Sequence, residues 1–207
     1  MLIDMHIHTS YSPCSVIDLP ELLQRSREMG LDGICITDHD TVASKSEFID
    51  SSGLCVIVGM EYTTSEGDFL VFGPVDCIPE QMGAKFLLEW IKKEGGVAIA
   101  AHPFRKYRSV DLRFLHFASI VESVNGRNLP HENELCKNWL QQFGSGIKEI
   151  GGSDAHIVGE IGQVVTSFQN NIYDADDLVH ELQYGNYSPS KRIAGEAIDR
   201  QLIQGYQ

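Results

Sequence analysis

Short apolar runs alternate with stretches of helical period along the whole chain. Residues 2–8 (LIDMHIH) read as a strand, followed by the polar loop TSYSPCSVI. Asp18 stands where a helix cap belongs, with Pro20 in the first turn. The stretch LPELLQRSREM carries that helix to a stop at Gly30. GICITDHD reads as a second strand, LCVIVGMEYT as a third and DFLVFG as a short fourth. A helix is predicted from Pro79 through FLLEWIKKE to Gly95 and Gly96. GVAIAAHP and ASIVESVNG read as strands, 131–143 as a helix, IKEIGGSDAH as strand and loop, QVVTSF as a strand and 174–184 as a helix. This βαβα order predicts an α/β fold with mainly parallel pairing. No repeat of fixed period is visible. NYSPSK (186–191) is the one linker-like segment, and it divides a domain over 1–185 from a tail over 186–207. In the tail, IAGEAIDRQLI has apolar residues at 193, 194, 197, 198 and 202. That is the spacing of a short amphipathic helix, docked on the domain or on a partner.

Composition narrows the classes. A chain of 207 residues with 43% apolar and 22% charged residues has the balance of a globular domain. A formal charge of −13 argues against nonspecific binding to long nucleic acid or to an anionic membrane. A small phosphorylated substrate is still compatible, because bound cations reverse the local field. The five cysteines are scattered and odd in number, and Cys35 and Cys55 lie inside apolar runs. That usage predicts free thiols and a reducing, cytoplasmic setting. No signal peptide or membrane span is expected, since nothing approaches about 18 consecutive apolar residues.

The candidate chemistry sits at the ends of the apolar runs. Residues i and i+2 of a strand point to the same side, so His6 and His8 project together, as two ligands of one ion must. Two surface histidines on an edge strand would read the same way. The other runs decide between these readings. GICIT ends in Asp38-His39-Asp40, LCVIVGM in Glu61, GVAIAA in His102, and IKEIGG in Ser153-Asp154-Ala155-His156. In α/β barrels the loops after the strands converge on one face, where active sites lie. Imidazole with carboxylate suits borderline divalent ions such as Zn, Mn or Fe. The candidates are too many for one tetrahedral ion, and two or three ions bridged by Glu61 account for them better. Closely spaced ions activate a bound water and clamp a phosphoryl group.

In this order, HIHTSYS, ITDHD, GMEYTT, AHP and GGSDAH resemble the PHP (polymerase and histidinol phosphatase) superfamily over residues 1 to about 185. The resemblance implies a distorted seven-stranded (β/α) barrel, two or three divalent metal ions and phosphoester hydrolysis by a metal-bound hydroxide. Carried over by residue, His6, His8, Glu61 and Asp154 correspond to ligands of one ion. Glu61 bridges to a second ion held by His102, and His39 and His156 hold a third. The chain departs from the family pattern in three places. The loop residue that often completes the third site is replaced by Pro13 or Cys14, and Cys14 is either a thiolate ligand or a plain loop cysteine. Glu122 and Asn125 stand near the place of a second-ion histidine. EGDFLVFG puts Asp68 where a histidine is common. Cys14, Asp68 and Asn125 are therefore secondary candidates for metal or substrate.

The catalytic candidates are Glu61, Asp154, His102 and Arg105. Arg105 holds a phosphate in a bidentate contact or is a surface arginine of the RKYR turn. Arg127 is a second candidate at the same mouth. Asp38 and Asp40 are expected to orient His39. Ser153 is expected to bond backbone, and His116, His131 and His180 to be structural or exposed. The leading reading is a metal-dependent phosphoesterase acting on a small phosphomonoester or nucleotide. Amide or ester hydrolysis at the same centre and a catalytically inactive metal-binding module are the alternatives.

Overall fold

A computed structural model describes residues 1–46 and 53–191 of the chain. The apolar runs become strands β1 (Leu2–Ile7), β2 (Gly33–Ile36), β3 (Cys55–Val58), β4 (Met60–Thr64), β5 (Gly67–Phe72), β6 (Val97–Ala100), β7 (Ile120–Asn125), β8 (Lys148–Gly152), β9 (Val164–Phe168) and β10 (Tyr187–Lys191). The helices are α1 (Leu19–Glu28), α2 (Ala84–Lys93), α3 (Leu112–Leu115), α4 (Pro130–Phe143) and α5 (Ala175–Tyr184). Asp18 and Asp174 cap α1 and α5 by accepting the N–H groups of Glu21 and Asp177. The helix expected from Pro79 begins only at Ala84, whose N–H is taken by the Glu66 carboxylate. The amphipathic stretch over 193–202 lies outside the described residues.

Two five-stranded sheets form, in the orders β10-β9-β1-β2-β3 and β4-β5-β6-β7-β8. They stand where one closed seven-stranded barrel was expected. The pairing is mixed rather than mainly parallel. β1 with β2, β2 with β3, β6 with β7 and β7 with β8 are parallel. β1 with β9, β9 with β10, β4 with β5 and β5 with β6 are antiparallel. The run LCVIVGMEYT is two strands, because the chain changes sheets at Gly59. A Cβ there would meet the Val71 carbonyl oxygen and the Phe72 ring at 2.6 Å, so this crossing requires glycine. The linker-like segment at 186–191 supplies β10, an edge strand that carries Pro189 and pairs with β9.

The sheets meet over one apolar interior. Ile3, Met5 and Ile57 of the first sheet pack with Leu70, Ile99 and Ile150 of the second. Helix α1 covers the first sheet, with Leu22 and Leu23 against Ile34 and Ile36. Helices α2 and α4 cover the second, with Leu87, Ile91 and Trp139 against Val71, Ala98 and Val121. Each fully buried side chain of this size stabilises the fold by about 1.5–3 kcal/mol. At one end the sheets are stitched by two single bridges, Ile7 with Ala155 and His39 with Glu61. That end gathers the tips of β1, β2, β6 and β8. Among the described residues no helix is long and apolar enough to cross a membrane.

Candidate metal centre

Strand β1 and its extension carry His6 and His8, both fully buried, with their Nε2 atoms 3.0 Å apart. Glu61 is the second residue of β4, so it sits just after the Gly59 crossing rather than at the end of a long strand. Its Oε2 lies 3.4 Å from His6 Nε2, 3.1 Å from His8 Nε2 and 3.0 Å from His39 Nδ1. Its Oε1 lies 2.9 Å from His102 Nε2. Asp154, just past β8, puts Oδ1 at 3.5 Å from His6 Nε2, 3.3 Å from His8 Nε2 and 3.5 Å from His156 Nδ1. One carboxylate oxygen from each side thus faces the same pair of imidazole nitrogens. His102 and Asp154 hold positive φ angles of 31° and 56°. Such conformations cost non-glycine residues about 1–3 kcal/mol each and persist where packing enforces them.

A second layer of side chains sets the rings. Glu122 of β7 is fully buried; its Oε1 accepts from His6 Nδ1 at 3.0 Å. Its Oε2 accepts the His102 N–H at 2.8 Å and the Asn125 amide at 2.9 Å. Gly152 makes room behind this pair: a Cβ there would meet His6 Cβ at 2.5 Å and Glu122 Oε1 at 2.9 Å. Ser12 Oγ donates to Asp38 Oδ1 at 2.7 Å. It therefore accepts from His8 Nδ1 at 3.2 Å and from the His39 N–H at 3.0 Å. Asp38 also takes both the N–H and the hydroxyl of Thr9 at 2.7 Å. Asp4 accepts the N–H groups of Ser153 and Gly162, tying β1 to the loop that carries Asp154. Sequence reading missed Ser12 and Asp4, and met Glu122 only as a departure from a histidine pattern. A lone carboxylate within the apolar run ASIVESVNG was the available signal for Glu122.

The protonation pattern follows. Burial works against a charged His6, but the Asp154, Glu122 and Glu61 carboxylates overcome it and raise its pKa well above 6.5. His6 then donates from Nδ1 to Glu122, and its Nε2 faces His8 Nε2 at 3.0 Å; burial works against a charged His8 as well, but the Asp154 and Glu61 carboxylates outweigh it and raise its pKa. A proton stands where the surrounding oxygens and nitrogens would receive a cation. Glu61 and Asp154 are held well below the usual carboxylate range; burial opposes this, and His6 is the main charge that outweighs it. Burial lowers His39 to about 4 and lowers His156 as well, leaving both neutral with lone pairs to offer.

The residues fit divalent ions. Four sets of three ligand atoms each lie within 4.8 Å of one another: His8, His39 and His156; His6, His102 and Asp154; His6, His8 and Glu61; and Glu61, Asp68 and His102. The His102 Nδ1 atom is buried without a hydrogen-bond partner. Orphaned ring nitrogens of this kind are uncommon in a finished core and are accounted for by an ion or a role at the site.

The remaining candidates separate clearly. Arg105 is not a free surface group: its Nη2 lies 2.7 Å from Asp154 Oδ2 and bonds Asn125 Oδ1, while Nε bonds Asn128. Asn125 donates to Glu122 and to Asp154 Oδ2, so it orients carboxylates. Asp68 is buried and paired with Arg108 at 2.8 Å, an arginine sequence reading passed over. Cys14 is exposed and belongs to none of the four ligand sets among the described residues. Asp38 acts on His39 through Ser12 and the backbone, and Asp40 binds the Thr63 N–H instead of the His39 ring. Arg127 is exposed and lies 3.8 Å from Glu160. Ser153 Oγ bonds the His6 carbonyl oxygen and the Ala155 N–H. His116 lies against Trp139, and His131 and His180 are exposed.

Fold and site together define an α/β protein with a buried centre of imidazoles and carboxylates that could hold a metal ion. The sequence pattern of the PHP domain matches residues 4–185, and the chain belongs to the PHP domain family. MJ1587, an uncharacterised protein of Methanocaldococcus jannaschii, is 32% identical over 117 residues, covering 50% of this chain and 68% of its own. The crystal structure of PsfC from Pseudomonas syringae superposes with a TM-score of 0.74 at 17% identity, covering 92% of this chain and 91% of that one. A Bifidobacterium adolescentis protein provisionally named a metal-dependent phosphoesterase gives 0.65 at 18% identity, covering 89% and 96%. At these identities the two solved structures establish a shared fold.

Proposed function

We propose that the protein is a metal-dependent phosphoesterase that releases phosphate from a small phosphomonoester or nucleotide. The observation that carries this reading is the convergence of Glu61 Oε2 and Asp154 Oδ1 on His6 Nε2 and His8 Nε2, each nitrogen within 3.5 Å of both oxygens, in a pocket of neutral His39 and His156 and buried His102. Divalent ions bound there would polarise a phosphoryl group and lower the pKa of a water. The chain's own residues do the rest. Glu61 spans the centre, one oxygen toward His102 and the other toward His6, His8 and His39. Glu122 and Ser12 hold the Nδ1 protons of His6 and His8 outward, so that both Nε2 lone pairs would be free to hold bound ions. Arg105 and Arg108 supply the positive side chains at the mouth, each already held by a site carboxylate. A phosphomonoester dianion would be met there by both arginines as well as by the ions. The net charge of −13 supports a small substrate over long nucleic acid.

The test is a substrate panel on reconstituted protein: p-nitrophenyl phosphate, its bis-ester and p-nitrophenyl acetate, with metal content measured alongside. Turnover of the monoester above the other two, lost together with bound metal in His8→Ala, is the expected result. Preference for the acyl ester would establish the amide or ester alternative. Full metal content with no turnover of any phosphate would mark a binding module and refute the proposal.

A further inference from the structure

Two of the ligand sets found among the described residues are disjoint and differ most in their ligand types. His8, His39 and His156 form one; Glu61, Asp68 and His102 form the other. They differ in chemistry. The first offers three imidazoles and no formal charge. The second offers two carboxylates and one imidazole. Asp68 belongs to β5 and is 3% exposed. Its Oδ2 accepts from both Nη2 and Nε of Arg108, at 2.8 and 2.9 Å. This fork fixes the carboxylate and leaves Oδ1 outside the pairing. His102, of the same ligand set, keeps a buried, unpartnered Nδ1.

Resting on the metal-centre reading above, we propose that the two ends of the centre discriminate between ions. The imidazole end takes a borderline ion such as Zn2+, and the Asp68 end favours a harder ion such as Mn2+, so the working centre is mixed. Imidazole suits zinc, whereas carboxylate oxygen suits manganese and magnesium. Zinc outbinds manganese at any one site of these ligand types, so discrimination lies in the ratio. The preference for zinc is steep at three imidazoles and shallow at two carboxylates. A limited supply of zinc then fills the imidazole end and leaves the other to manganese. Asp68 is the deciding residue, since a histidine there would turn this set into one carboxylate and two imidazoles, a borderline site. Arg108 is a positioning residue, because it orients a ligand and offsets part of the charge.

The experiment is metal loading, read without any substrate. Protein stripped by chelation receives one equivalent of Zn2+ and then excess Mn2+, is desalted, and is analysed for both metals and by Mn2+ electron paramagnetic resonance. The wild type should retain about one zinc and at least one manganese per chain. Asp68→His should lose manganese retention at least about tenfold and accept a second zinc. Asp68→Asn should lose manganese and keep zinc, a milder change that covers poor folding of the first variant. His39→Ala should lose zinc and keep manganese. Wild type that retains no manganese, an unchanged zinc-to-manganese ratio in Asp68→His, or zinc unaffected in His39→Ala would each overturn the proposal. Folded wild type that binds neither ion would instead remove the metal-centre reading on which the proposal rests.

Discussion

Replacing Glu122 with glutamine changes one atom's identity and no volume, and its consequence can be worked from three contacts. Glu122 Oε2 faces two donors, the His102 N–H at 2.8 Å and the Asn125 amide at 2.9 Å. A glutamine must therefore turn its oxygen to that side. Its NH2 then meets His6 Nδ1, where the carboxylate Oε1 accepts at 3.0 Å. Two donors cannot share that contact, so the His6 ring must shift its proton from Nδ1 to Nε2. Nε2 is the atom that faces His8, Glu61 and Asp154. The ligand position is blocked by a proton in a protein otherwise unchanged. Loss of such an outer partner costs about 10–100-fold in metal affinity, or about 1.4–2.7 kcal/mol. Zinc affinity measured by competition with a chelating dye should fall by that factor in Glu122→Gln. Nitrogen-15 NMR of the His6 ring should report the exchanged tautomer in the zinc-free variant at a pH where the ring is neutral. Native circular dichroism with unchanged zinc affinity would refute the reasoning, because it would show that Glu122 does not set the His6 proton.

Four further outcomes follow from the same geometry. Stripping the ions should lower the melting temperature by about 5–10 °C per tightly bound ion held at 100 times its Kd, from about 2.7 kcal/mol of linkage and about 2–4 °C per kcal/mol for a chain of this size; an unshifted melt with metal loss verified would exclude a structural share for the centre. Ion binding should release protons into weakly buffered solution near pH 7, because the raised pKa of His6, set by its three carboxylate neighbours against the effect of burial, keeps it protonated until a cation displaces it. The raised His6 stabilises the metal-free fold fully below pH 6.5 and less as pH rises through its folded value, while the lowered Glu61 and Asp154 stabilise it above pH 4.5 and 3.8 and less as pH falls through theirs. Metal-free melting temperature should therefore decline at both ends of the pH range, with added zinc restoring the alkaline side; a flat profile would contradict the assigned charges. Iodoacetamide should label Cys14 at the same rate with and without metal, read by peptide mass spectrometry, since the thiol is exposed and its pKa is raised by partial burial and by the Glu61 and Asp154 charges; strong protection by metal would make it a ligand.

Much of this protein is local and could be read from one dimension. The caps at Asp18 and Asp174 are decided by the first turn of each helix. His6 and His8 share a side because a strand has period two. The placement of Asp154 and His102 just past apolar runs is a property of the chain alone. Sheet membership was not legible in this way. LCVIVGM runs apolar without a break up to Glu61, and only the close approach of Phe72 and the Val71 carbonyl to Gly59 shows where the chain leaves one sheet for the other. NYSPSK has the composition of a linker, and it becomes β10 because the open edge of β9 offers its hydrogen bonds. The antiparallel placement of β5 and β9 amid parallel neighbours likewise depends on partners distant in the chain.

The site divides along the same line. Histidines and carboxylates at strand ends announce ligands by residue type, and residue type is visible in the sequence. The groups that set those ligands are ordinary by type: a glutamate in β7 for His6, a serine in a loop for His8, and an aspartate in β1 for the loop of Asp154. Glu122 is 116 residues from His6 and Asp4 is 149 from Ser153. Arg105 likewise shows as a surface arginine until Asp154 and Asn125 are found beside it. A hydrogen bond requires an approach of about 3 Å in a set direction. Over such separations, only the folding of two sheets around one interior brings the partners that close.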